Sequence, residues 1–154
     1  MDLSSFLRPQ DIHQMVDVLI AFVLGGAIGW ERERQGRPAG LRTHMLVCVG
    51  STCFALASVY GYEGMGTVRD PARIAAQIVT GIGFLGAGTI WRTQDTVKGL
   101  TTAASIWLAA AIGLLAGAGM EALAVFTTVL ALIVLWALRP VAERVEASGK
   151  DSEK

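Results

Sequence analysis

Residues 99–120 read GLTTAASIWLAAAIGLLAGAGM, and this run is the most informative about the fold. It holds 22 residues without a charged side chain, and a helix of about 20 apolar residues spans the hydrocarbon core of a bilayer. Lipid offers no hydrogen-bond partners, so spanning segments are helices or closed barrels. A barrel strand alternates apolar and polar residues, which this stretch does not. It therefore predicts a transmembrane helix.

Four further uncharged runs flank this stretch, at residues 18–30, 45–62, 74–91 and 122–138. The whole chain is 53% apolar and only 17% charged, whereas soluble domains carry about 25% charged residues. Runs that are apolar all round leave no polar face for water, which argues against a soluble bundle. The sequence predicts an all-α, polytopic membrane helix bundle with about five transmembrane helices.

The segment GAGME at residues 117–121 separates the last two runs and predicts an antiparallel helical hairpin. Residues 1–141 are interpreted as one transmembrane domain and residues 142–154 as a short polar cytoplasmic tail. The first residues lack the basic start of a cleavable signal peptide, so the first span is expected to stay as a membrane helix.

The basic residues predict the orientation of the chain. Of the 13 Lys and Arg residues, ten fall on one side of a five-span arrangement and three, Arg8, Arg69 and Arg73, on the other. Lys and Arg favour the cytoplasmic side. We therefore expect the N-terminus outside, the C-terminus inside, and a location in a bacterial plasma (inner) membrane.

The densest polar segment is ERERQGRPAGLRTH at residues 31–44. One interpretation is a loop that only fixes topology, with Arg34 and its neighbours at the headgroups. A second is a functional or partner-binding loop, in which Glu31 and Arg42 form an ion pair at the membrane edge. Contact with anionic lipids is a third.

A second polar segment follows the second apolar run. Asp70 occupies an expected N-cap position before a helix, and Arg73 and Gln77, four residues apart, share one helix face. Gln77 lies inside the predicted apolar zone, where polar groups usually face other helices or a cavity.

Asp17 is an acidic residue inside the first span, and such residues are functional candidates by default. Two interpretations are open: an ion pair with Arg73, or a site with Asp70 and Glu63 that attracts a hard cation such as magnesium. His13 and His44 are treated as isolated. No catalytic constellation, metal-ligand cluster or cofactor motif is recognised, so neither enzymatic activity nor a cofactor is expected.

Glycines spaced four residues apart allow membrane helices to approach closely. The predicted helix-packing glycines are Gly25, Gly29, Gly81, Gly83, Gly86 and Gly88. The alternative for the third span is that its crowded glycines break the helix and free backbone carbonyls to line a path.

Three stretches together resemble the MgtC/SapB family of bacterial membrane proteins: GAIGWERE through GLRTH at residues 26–44, DPARIAAQIVTGIGFLGAG at 70–88, and VKGLTTAASIW at 97–107. The resemblance implies a multi-pass inner-membrane domain. It also implies an association with growth under magnesium limitation and, in pathogens, with survival inside host cells. Longer members carry a soluble C-terminal domain, so this chain is expected to be a membrane-only version.

The sequence leads to two function hypotheses. The first is a non-enzymatic protein that modulates magnesium or ion homeostasis, or other membrane proteins, under stress. The alternative is a small oligomeric transporter or channel for magnesium or another ion. Expected partners are the lipid bilayer, other membrane proteins or further copies of the chain, and no nucleic acid. The functional candidates are Asp17, Glu31, Arg34, Arg42, Asp70, Arg73, Gln77 and Thr101.

Overall fold

The structure is a computed structural model that describes residues 9–61, 70, 72–93 and 96–138. Within these residues the chain forms five helices and one two-stranded hairpin. The helices are α1 (Pro9–Arg34), α2 (Leu41–Tyr60), α3 (Ala72–Ala87), α4 (Leu100–Gly117) and α5 (Glu121–Ala137), and the strands are β1 (Trp91–Arg92) and β2 (Val97–Lys98).

The predicted fold class, an all-α polytopic helix bundle, is confirmed. Helices α1, α2 and α4 are long and apolar enough to cross a membrane, while α3 and α5 are shorter apolar helices. The orientation of the termini stays a prediction. The proposed tail at residues 142–154 and Glu63 lie outside the described residues.

Helix α1 extends further than its apolar run, because it continues through the charged segment to Arg34. Two backbone bonds close its last turn: Arg37 N–H donates to Arg32 O at 3.1 Å and Gly36 N–H donates to Glu33 O at 2.9 Å. This bond pair satisfies carbonyls that a helix end leaves free. The connection to α2 is therefore only a few residues long.

Helix α2 begins after Gly40, which has no side chain to cap it. The carboxylate of Glu33 accepts a hydrogen bond from Leu41 N–H at 2.7 Å instead. An anion at this position also suits the positive end of the helix dipole. Glu33 thus ties the end of α1 to the start of α2.

Helix α3 begins after Asp70, whose Oδ1 accepts a hydrogen bond from Ala72 N–H at 3.0 Å, the contact expected of an N-cap. The helix runs unbroken through Gly81, Gly83 and Gly86, so the alternative of a broken third span is wrong. The antiparallel β1–β2 hairpin that follows pairs Trp91 with Lys98 and was not predicted from the sequence.

The predicted hairpin between α4 and α5 is present. Gly119 has φ +73°, a left-handed conformation that glycine adopts without steric penalty. Met120 N–H donates to Leu115 O at 2.9 Å and Gly119 N–H donates to Ala116 O at 3.1 Å. These two bonds end α4 as a Schellman motif, and α5 starts only four residues after the last residue of α4.

Helix α2 lies between α1 and α4, and glycines bring the backbones together on both sides. A Cβ atom on Gly25 of α1 would lie 2.7 Å from the Cβ of Cys48, and one on Gly113 of α4 would overlap the Cys48 carbonyl oxygen. Thr52 adds a hydrogen bond from its Oγ1 to Gly113 O at 2.7 Å. Helices α1, α2 and α4 therefore form the close-packed core.

Helices α3 and α5 pack on the outside of this core. Helix α3 buries Ile78 and Ile82 on one face, and α5 buries Ala124, Thr128 and Ala131. Most of their other large apolar side chains are exposed, Phe84 and Trp136 among them, as expected for helices that face lipid.

Candidate functional site

One end of the bundle is rich in basic side chains, and we call it the basic end. Because short connections join antiparallel helices, α1, α3 and α5 finish here while α2 and α4 begin. Its exposed basic residues are Arg34, Arg37, Arg42, Arg92 and Lys98. A buried polar cluster lies just inside this end.

His44 is the centre of the cluster and is fully buried. Its Nδ1 lies 2.9 Å from Gly40 O, and its Nε2 lies 3.0 Å from Oγ of Ser105 on α4. A carbonyl can only accept, so Nδ1 carries a proton. The Ser105 hydroxyl also lies 2.8 Å from Thr102 O. When the ring is neutral, Nε2 can accept a hydrogen bond from the Ser105 hydroxyl. When the ring is cationic, Nε2 donates to Ser105 Oγ, and the hydroxyl donates to Thr102 O instead.

Arg32 and Glu31 of α1 complete the cluster. The Arg32 side chain is only 2% exposed and binds Glu31 with two nitrogens, Nε at 2.5 Å from Oε2 and Nη2 at 2.9 Å from Oε1. Gln35 also donates to Glu31. Both charged groups interact electrostatically with His44. Buried charges usually require this kind of pairing.

The ion pair predicted between Glu31 and Arg42 is replaced by the pair with Arg32. Helix α1 continues past Glu31, so Arg32 stays on the bundle side and can turn inward, while Arg42 on α2 is exposed. Arg34 is exposed as well, and so is Thr101, which is the second residue of α4. Of the candidates at this end, only Glu31 belongs to the buried cluster.

The opposite end of the bundle carries Asp17, which is half-buried. It interacts with Glu121, the first residue of α5, and with His13 one turn earlier on α1. The partner predicted for Asp17, Arg73, is exposed on α3. Asp70 caps α3. The described residues include no group of three or more His, Cys, Asp or Glu side chains arranged to hold a metal ion.

Gln77 was expected to face another helix or a cavity, but it is exposed on α3. The face of α3 toward the bundle is formed by Ile78, Ile82 and Gly86, and Gln77 lies beside that face rather than on it.

The predicted packing glycines divide into two groups. A Cβ on Gly25 or Gly29 would lie within 3 Å of α2 atoms, and one on Gly86 would lie 3.6 Å from Ala103 of α4. Gly81 and Gly83 have nothing within 4 Å, so within the described chain no helix packs on them. The remaining glycine, Gly88, follows the end of α3, and its nearest neighbours belong to that same helix.

Sequence reasoning missed the centre of the cluster. His44 was treated as isolated, which is wrong, because Ser105 lies 61 positions away in sequence and within hydrogen-bond distance. A usable signal did exist. Buried polar groups almost always find partners, and His44, Thr102 and Ser105 all lie near the start of an apolar helix.

The helices and the buried cluster define a polytopic membrane protein whose core is closed by interhelical hydrogen bonds. The MgtC family model matches residues 18–144. The chain belongs to the MgtC family.

Similar proteins agree with this membership. The chain is 46% identical to "Putative magnesium transporter YhiD" of Escherichia coli strain K12 over 79% of this chain and 58% of that protein. It is 47% identical to Protein MgtC of Brucella abortus strain 2308 over 82% of this chain and 51% of that protein. It is 46% identical to Protein MgtC of Salmonella typhimurium over 85% of this chain and 54% of that protein.

The chain thus spans about half the length of the curated relatives it matches. No solved structure matches it.

Proposed function

We propose that this chain is a non-enzymatic membrane protein that modulates magnesium homeostasis or the activity of other membrane proteins. The link to magnesium comes from its family relatives, one of which is named as a magnesium transporter. The choice of modulation over transport rests on the way the core is built.

The observation that carries the proposal is the closed core of α1, α2 and α4. Thr52 of α2 binds the backbone of Gly113 on α4, and His44 of α2 binds Ser105 on α4. Among the described residues, every buried side-chain nitrogen and oxygen has a hydrogen-bond partner. Polar groups that satisfy one another inside the core do not line a path for a hydrated ion.

The Ser105–His44 contact resembles the pairing of a nucleophile with a base. A nucleophile's oxygen must meet its substrate, but the Ser105 hydroxyl is engaged by His44 Nε2 and Thr102 O, and the His44 ring is fully buried. The pair also joins α2 to α4. We therefore assign it a structural role, in keeping with a non-enzymatic protein.

A second candidate function is an oligomeric ion transporter. The approach of Asp17 to Glu121 supports it, because two carboxyl groups at one end of a bundle attract cations. Gln77, exposed on a helix of the membrane domain, would find partners if another copy of the chain covered α3. A path between copies would not have to pass through the closed core.

Magnesium flux separates the two functions. The full chain is purified, shown to be folded, and reconstituted into phosphatidylcholine vesicles with a magnesium gradient. We expect no flux above that of empty vesicles, together with a changed magnesium content in cells that express the chain. Saturable flux that falls in Asp17→Asn would establish the transporter instead. Asp70→Asn is the matched control, because it removes a charge at the same end and asparagine still caps a helix.

A further inference from the structure

An apolar groove opens between α4 and α5 in the halves nearest the basic end. Its volume is about 340 Å³, and Ile28 of α1 closes its inner side. Leu108 lines it from α4, and Leu130 and Val134 line it from α5. Nearer the turn that joins the two helices, Ala116 and Ala124 are fully buried.

Small side chains on α4 leave this space open. Thr101, Ala104 and Ser105 form its α4 wall together with Leu108. The Ser105 hydroxyl is already engaged with His44 and Thr102. The groove therefore presents an apolar surface, and Thr101 lies at its basic end.

Exposed tryptophans place this end of the bundle at a membrane interface. Trp30, Trp91 and Trp136 lie near the end of α1, on β1 and near the end of α5, and all three are exposed. Tryptophan is enriched at the level of lipid headgroups. The groove begins at Thr101, about one helical turn further into the membrane than β2, and extends over two turns of α4. It therefore lies at the level of the acyl chains.

Basic side chains lie at the end of the bundle nearest the groove. Lys98 precedes the groove residue Thr101 by three positions, and Arg34 follows Ile28 by six positions on α1. The acidic residues of the first connection are engaged elsewhere, since Glu31 binds Arg32 and Glu33 caps α2. The basic end therefore complements an anionic headgroup.

We propose that the groove holds one acyl chain of an anionic phospholipid, whose phosphate binds at the basic end, chiefly to Lys98 and Arg34. This inference goes beyond the proposed function and does not depend on it. The apolar lining and the length of two helical turns suit an extended hydrocarbon chain.

Native mass spectrometry on the full chain in neutral detergent tests the headgroup. Phosphatidylglycerol and phosphatidylcholine with identical acyl chains are titrated separately. Each basic residue near a membrane surface strengthens binding of anionic lipid about fivefold. We expect phosphatidylglycerol to bind at least about fivefold more tightly, and the double variant Lys98→Gln/Arg34→Gln to lose that preference. Arg73→Gln, a basic residue at the opposite end, is the matched control and should keep it.

A second variant tests the groove. Ala104→Leu fills the groove from an exposed position of α4, so the core stays intact, and we expect binding of both lipids to weaken at least about fivefold. Ala122→Leu makes the same change on α5 outside the groove and should bind both lipids like the unmodified chain. Thermal unfolding of each variant verifies that it is folded.

Several results would overturn the lipid site. Equal binding of the two lipids, absence of binding, or unchanged binding by Ala104→Leu would each do so. A photocrosslinker at Thr127 that captures a polypeptide instead of lipid in native membranes would assign the groove to a protein partner. None of these results bears on the magnesium flux test, which uses vesicles without anionic lipid.

Discussion

The inner helices α1, α2 and α4 differ from the outer helices α3 and α5 in how they use glycine and polar side chains. In the core, Gly25 and Gly113 bring backbones into contact, and Thr52 and His44 bond across helices. On α3, Gly81 has no neighbour among the described residues, and the Thr80 hydroxyl bonds to Ala76 O in its own helix. The same residue types hold the core together but leave the outer helices free to meet lipid or partners.

The largest expected effect comes from Gly113→Ala in the core. The added Cβ would overlap the Cys48 carbonyl oxygen, and backbone atoms cannot move aside as a flexible side chain can. Overpacking of this kind costs about 3 kcal/mol, which we expect as a loss of unfolding free energy in mixed detergent micelles. Stability equal to that of the unmodified chain would mean that α2 and α4 are not in backbone contact.

The next largest effect is expected for His44→Ala. The change removes the hydrogen bond between the His44 ring and the buried Ser105 hydroxyl, which keeps its bond to Thr102 O. It also removes the hydrogen bond from the ring to Gly40 O. Loss of a buried hydrogen-bond partner costs about 2 kcal/mol. Unfolding is measured in the same micelles, with His13→Ala, an exposed histidine of α1, as the comparison. If the two variants lost similar stability, the buried cluster would have no special role.

A smaller effect is expected for Thr52→Val, which keeps the shape of the side chain but removes its hydrogen bond to Gly113 O. Interhelical hydrogen bonds in membrane proteins contribute about 0.6 kcal/mol. The matched control is Thr80→Val on α3, whose hydroxyl donates to Ala76 O of its own helix. A loss in Thr80→Val that matched the loss in Thr52→Val would remove the distinction between core and outer helices.

The smallest effect, with the opposite sign, is expected for Gly81→Ala. A Cβ at this position meets nothing within 4 Å among the described residues, and alanine favours a helix over glycine by about 0.5–1 kcal/mol. We expect a small gain in unfolding free energy for the single chain. A clear loss, together with a change in oligomer size on gel filtration, would show that another copy packs on this face.

Local sequence patterns predicted much of the fold. The apolar runs located all five helices, GAGME predicted the turn that Gly119 makes, and Asp70 was identified as an N-cap. Each of these features depends on neighbours within a few residues, so a single sequence contains the necessary information. The extension of α1 to Arg34 was missed because charged residues at a membrane edge suit a loop as well as a helix end.

The apolar runs and the three motif stretches were therefore enough to predict the membrane class, the helices and the family. The sequence did not predict that His44 meets Ser105, that Gly113 faces α2 while Gly81 faces no helix among the described residues, or that a groove lies near the basic end. The physical reason is that the runs are apolar on nearly every face. Such a run predicts that a helix enters the membrane but not which side of the helix turns inward. Packing against helices distant in sequence sets the rotation of the helix about its axis.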